Sequence, residues 1–225
     1  MKLNIKELIT FFDSRGNRGD ATALIALLGE DLNASVYRHF RNNEVEILNC
    51  SVTCGANKGQ RLDRWIVDKK DKKILQCEIK NWSASAIGGK QLDIDSSNDE
   101  IKKVVKYYWD RELNGNLSNK VEHPNRVTKV LLKMKAPKEY SDFKIEPLIV
   151  YWMPISSDEE EFNPSSCLVI NTLNIPIKNE FIKLNIFSVS LYLRQLYNNG
   201  KGLKFIDLDM PNFKNRIDIL NKLQN

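Results

Sequence analysis

Apolar positions along the chain change their period several times, and each change predicts an element. Between Leu3 and Phe12 the apolar candidates Leu3, Leu8, Ile9 and Phe12 suggest a short amphipathic helix. A break over Asp13–Gly19 precedes Leu24, Leu27, Leu28, Leu32, Val36 and Phe40, whose spacing of three to four predicts a longer helix. Asp20 or Thr22 can cap that helix, which should end near Arg41. From Glu44 to Cys54 the pattern alternates and predicts a strand. Two further apolar runs, Arg61–Asp68 and Lys73–Lys80, flank the charged stretch Lys69–Lys72 and predict a β-hairpin.

Beyond the hairpin, Asn81–Gly89 is small and glycine-bearing and predicts a loop or a loose helix start. Asn98 or Asp99 can cap a helix over about Glu100–Glu112 that turns Ile101, Val104, Val105 and Tyr108 inward. Val127–Met134 fits a strand or a helical turn. The proline-bounded run Glu146–Pro154 predicts a buried strand. Strands are expected at Leu168–Ile170 and Leu184–Val189, a helix at Ser190–Asn198, and a terminal helix from Pro211 or Asn212 to about Leu223. No repeat or linker interrupts this order. One domain over 1–225 is expected, with a core at about 20–112 and a C-terminal extension of the same unit over 113–225.

The hairpin register changes the picture. A loop over Lys69–Lys72 pairs Asp68 with Lys73 and carries Asp63 opposite Glu78, with Cβ atoms roughly 5 Å apart. Two carboxylates so placed repel unless a cation lies between them. Lys80, two residues beyond Glu78, shares its strand face. Two carboxylates and an ammonium on one patch suit metal-assisted hydrolysis. The bland alternative is an exposed charged hairpin whose acids are neutralised by Arg61 and Arg64. Trp65, Val67 and Ile74 share the face of the acids and argue against a simply solvated surface.

Composition bounds the rest. The 225 residues are 42% hydrophobic and 28% charged, an ordinary globular balance, with a net charge of +5. Basic residues concentrate around the acidic pair, and again at Arg126, Lys129, Lys133, Lys135, Lys138 and Lys144 against Glu139 and Asp142. Such clusters suit a polyanion, as many solvated surfaces also do. No apolar stretch approaches a membrane span and the N-terminus has no signal-peptide core, so a cytoplasmic protein is expected. Cys50, Cys54, Cys77 and Cys167 fit reduced thiols, and with His39 and His123 they form no zinc-finger spacing. Phosphate-binding loop, serine-elbow and dinucleotide motifs are all missing.

On Asp63, Glu78 and Lys80 the chain resembles the PD-(D/E)XK nuclease superfamily, with Leu62-Asp63 standing where the superfamily has Pro-Asp. The resemblance covers about Asp20–Glu112. It implies an α/β, restriction-endonuclease-like core, a central mixed β-sheet flanked by helices. It implies Mg²⁺ or Mn²⁺ held by Asp63, Glu78 and the backbone carbonyl of Ile79, with Lys80 acting on the attacking water and on phosphate charge. Some members add a Glu from the first core helix; Glu30 matches best, with Asp31 in reserve, although Glu30 reads equally as a solvent-facing helical carboxylate. Lys90 and Gln91 become candidate nucleic-acid contacts, with Arg61 and a stacking Trp82, each with a plain surface role as its alternative. The implied activity is hydrolysis of DNA phosphodiesters. An RNA-directed nuclease or a non-catalytic binding or assembly module are the alternatives. No membrane partner is expected; a homodimer or a larger defence, repair or mobile-element complex is compatible with the residues.

Overall fold

The computed structural model describes residues 1–13, 18–28, 30–48, 62–80, 90–110, 128–156, 165–174, 179–199 and 203–224. Its centre is a six-stranded mixed sheet. The strands are β2 (Glu46–Leu48), β3 (Arg64–Asp68), β4 (Lys73–Lys80), β5 (Lys144–Tyr151), β6 (Cys167–Asn171) and β7 (Lys183–Ser188), in the order β2-β3-β4-β5-β7-β6. β4, β5 and β7 run parallel, and antiparallel pairs close both edges. A separate two-stranded ribbon pairs β1 (Lys2–Asn4) with β8 (Phe205–Asp207). The expected α/β class with a mixed sheet and flanking helices is therefore present. Among the described residues, no helix is long and apolar enough to cross a membrane.

The apolar run of β5 explains its central place. Leu148, Ile149, Val150 and Tyr151 are all buried, as a strand flanked by parallel neighbours and covered on both faces requires. Pro147 would interrupt a central ladder, yet it stands one residue before the β5–β7 pairing begins at Leu148. Its carbonyl accepts from Asn185 Nδ2 at 3.1 Å.

Helices α1 (Ile5–Asp13), α2 (Arg18–Leu28), α3 (Asp31–Phe40), α4 (Asn98–Trp109), α5 (Val189–Asn199) and α6 (Pro211–Gln224) surround the sheet. Successive strand residues point to opposite faces. Cys77, Ile79, Val150 and Phe187 form one face, where Tyr37 and Phe40 of α3 meet the Phe187 ring at 5.1 and 4.9 Å. Glu78, Lys80 and Tyr151 lie on the other, where Tyr108 of α4 stands 6.4 Å from Tyr151. Gln76, also on this face, is bound by the backbone of the helical turn Thr128–Leu131 and the residues after it, through Val130, Leu132 and Met134.

Several boundaries differ from the sequence expectation. Leu3 belongs to the β1–β8 ribbon and not to a helix, since its partner Ile206 gives it a cross-strand neighbour. The single long helix is two, α2 and α3, with Glu30 in a turn between them; the sequence carries glycine, the weakest non-proline helix former, at position 29. α4 starts earlier, because Ser97 is its cap: Ser97 and Glu100 form a reciprocal capping box. The segment Thr128–Leu131 is a helical turn, and β8 was not anticipated. Much of the expected first strand, the loop after Lys80 and the acidic loop Asp158–Glu161 lie outside the described residues.

Candidate active site

The hairpin register is as read from the sequence. Arg64 pairs with Cys77 and Asp68 with Lys73, around a turn in which Lys72 takes a positive φ of 49°. The regular ladder stops at Arg64, one residue short of Asp63. Asp63 lies in a bend there, and its Oδ2 accepts the backbone N–H of Ile79 at 2.7 Å. A side-chain oxygen has taken the place a main-chain acceptor would hold had β3 continued. The acid thus reaches into the gap between β3 and β4 beside Glu78, where the sequence pattern had put it directly opposite Glu78 in a continuing ladder.

Glu78 is 1% exposed, and its Oε1 accepts from Lys80 Nζ at 2.8 Å. That contact follows from the strand period, which places residues two apart on one face. In an extended strand the N–H and C=O of one residue point to the same edge. Ile79 sends its N–H to Asp63, so its carbonyl points to that same edge. Lys80 has the opposite sense: its carbonyl accepts from Trp152 N at 3.0 Å, on the β5 side, and from Asn33 Nδ2 at 3.3 Å. The Asp63 carboxylate and the Ile79 carbonyl are therefore at one edge of β4, and the Glu78 carboxylate lies on the sheet face it shares with Lys80; all three are hard oxygen donors. This donor chemistry fits Mg²⁺ or Mn²⁺.

Glu30 is held elsewhere. Arg64 donates from one Nη to Glu30 Oε2 at 2.6 Å and to the Asp63 carbonyl at 2.5 Å, and its other Nη lies 3.8 Å from Asp31 Oδ1. Arg64 pairs with Cys77, so it belongs to the face opposite Glu78. Among the described residues no three His, Cys, Asp or Glu side chains gather closely enough to hold a metal ion, so Glu30 does not complete such a set with Asp63 and Glu78. Asp31 is a cap: it accepts from Asn212 Nδ2 at 2.6 Å and from Phe213 N at 2.9 Å, at the start of α6. The buried Cys77 thiol is pushed up by burial, then by the charges of Asp63 and Glu78, with Arg64 opposing. It is an inert core thiol.

The remaining candidates divide. Lys90 is exposed, with Nζ 5.1 Å over the Tyr107 ring, and its carbonyl accepts from Tyr108 OH at 2.6 Å. Tyr108 in turn neighbours Tyr151, the cross-strand partner of Lys80, so α4 links Lys90 to the site. Gln91 follows, half-buried. Trp109 is buried and offers no face on which a base could stack. Arg61 and Trp82 lie outside the described residues.

Sequence reasoning missed Asn33 and underrated Arg64. Asn33 is fully buried and joins α3 to the end of β4; its signal was a lone amide in the apolar stretch Leu32–Val36. Arg64 was weighed as a neutraliser of the hairpin acids, whereas its strand position directs it to Glu30. Comparison with family models, with curated proteins and with solved structures finds no match to this chain.

Proposed function

We propose that the chain is a metal-dependent nuclease that hydrolyses DNA phosphodiester bonds, built on a restriction-endonuclease-like core. The observation that carries this reading is the Asp63 carboxylate on the Ile79 N–H at 2.7 Å, next to Glu78 and its 2.8 Å contact with Lys80. Asp63, Glu78 and the Ile79 carbonyl would hold Mg²⁺ or Mn²⁺. When bound, the cation would supply Lewis acidity toward the phosphate and acidify water for attack.

The protein's own groups have separate tasks in this reading. The Ile79 N–H fixes Asp63 so that it does not swing away. Lys80, 14% exposed at its side chain and anchored to Glu78, offers an ammonium that orients water and offsets phosphate charge. Asn33 holds the Lys80 backbone from α3. Glu30 serves to anchor Arg64 and is not a ligand.

The test is divalent-dependent cleavage of plasmid and single-stranded DNA, with structured RNA in parallel. Wild type should cut DNA with Mg²⁺ or Mn²⁺, and Asp63→Asn and Lys80→Ala should each lose about 100-fold or more, as removal of an electrostatic catalytic group does. Cleavage that survives both substitutions defeats the assignment.

One observation favours a second reading, a nucleic-acid-binding module without catalysis. Glu30 is committed to Arg64, and no three-acid cluster forms among the described residues. That reading requires nucleic-acid binding without metal binding.

A further inference from the structure

At the opposite end of the sheet from Glu78 and Lys80 lies a groove of about 890 Å³. Lys133, Lys135, Lys138 and Lys144 line it, with Phe143 and Phe181. We propose that this groove binds a single-stranded nucleic-acid segment, its lysines along the phosphates and its two phenylalanines against bases.

Charge carries the first half of the argument. Lys133, Lys135 and Lys138 are exposed and form no ion pair with any described residue. Lys144 contacts Glu146 at 2.7 Å and remains 72% exposed at its side chain. The one acid lining the groove is Glu180, whose Oε2 is occupied by the Lys133 backbone N–H at 2.6 Å. Glu139 and Asp142, close in sequence, are not among the lining residues. The groove therefore presents a surplus of cations, which suits a polyanion.

Ring placement carries the second half. Phe143 and Phe181 are partly exposed in the groove, and Tyr140 meets Phe143 edge-on at 5.2 Å. Lysines interleaved with aromatic faces suit unpaired bases, which can stack on the rings, better than a duplex that hides them.

Lys73 and Lys144 are register partners at this end, and Lys80 and Tyr151 at the other. At 3.3 Å per residue the two ends are separated by roughly 23 Å. The groove is thus a second surface, independent of any chemistry at Asp63 and Glu78.

The experiment is fluorescence anisotropy of a labelled oligothymidylate of about 15 nucleotides, with metal chelated so that no cleavage occurs. Wild type should bind it saturably. A triple variant, Lys133→Glu with Lys135→Glu and Lys138→Glu, should lose about tenfold or more, and its slope of log affinity against log salt should flatten by about 2. Photocrosslinking of the bound oligonucleotide should label the peptides carrying Phe143 and Phe181. Unchanged affinity and slope in the triple variant would overturn the proposal. Crosslinks that avoid those peptides would do the same, as would tighter binding to phosphatidylserine vesicles or polyglutamate than to the oligonucleotide. Oligonucleotide binding without cleavage by wild type in Mg²⁺ would leave the groove standing and remove the nuclease reading alone.

Discussion

Arg64 donates to the Glu30 carboxylate and to the backbone carbonyl of Asp63, and the two acids have different fates. It draws Glu30 onto its own face of the sheet and leaves Asp63 to the Ile79 N–H. Glu30→Gln should therefore lower DNA cleavage less than tenfold, against about 100-fold or more for Asp63→Asn, when single-turnover rates are compared. Arg64→Ala should cost about 1–3 kcal/mol in denaturant unfolding, because it removes a half-buried partner from both Glu30 and the Asp63 carbonyl. Equal rate losses for Glu30→Gln and Asp63→Asn would instead make Glu30 a ligand. Asp63, Glu78 and Lys80 were legible because strand register and strand period are arithmetic on sequence positions. The end of the ladder at Arg64 was not legible, since it depends on a side chain competing with backbone for one N–H.

Among the elements, α6 is held at its first turn by α3 and further along by Arg216, which donates to the Leu27 carbonyl of α2. Asp31 caps it from α3 through Asn212 and Phe213, while Ile219, Leu220 and Leu223 remain exposed. Asp31→Ala should destabilise the protein by about 1–2 kcal/mol, and hydrogen exchange should speed up in the amides of Pro211–Gln224 before those of β4 and β5. Uniform acceleration across the sheet would show that Asp31 supports the core instead. The central strands were legible because β5 is one continuous apolar run and the β3–β4 hairpin has a charged turn. The two edge features were not. β1 and β8 are three residues each, too short for a period to register, and they exist through pairing between distant parts of the chain. The split between α2 and α3 was hidden because the apolar spacing continues across it.

On the scale of the whole molecule, one buried ion pair joins segments far apart in sequence. Asp13 at the end of α1 is fully buried; its Oδ1 accepts from Trp152 Nε1 at 2.7 Å and its Oδ2 from Arg194 of α5 at 3.0 Å. Arg194 also donates to the Asp93 carbonyl, and to the Leu92 carbonyl at 2.9 Å. Burial raises the Asp13 carboxyl to about 6 from 3.8, with Arg194 and then Trp152 pulling the other way. The folded state thus holds this proton more tightly than the unfolded one. Its contribution is fully present below the unfolded value of 3.8 and is lost as pH rises through about 6. Unfolding free energies of wild type relative to Asp13→Asn should fall by about 2–3 kcal/mol between the acid and neutral ends of that window. A difference that stays flat with pH would refute the assignment. The proposed nuclease reading makes a stricter demand, that Asp63 and Glu78 share a divalent cation. Titration calorimetry with Mn²⁺, without nucleic acid, measures this directly. The account predicts saturable binding by wild type that is abolished in Asp63→Asn and in Glu78→Gln. Binding unchanged by both substitutions, or no binding by a wild type that still holds DNA, would contradict it.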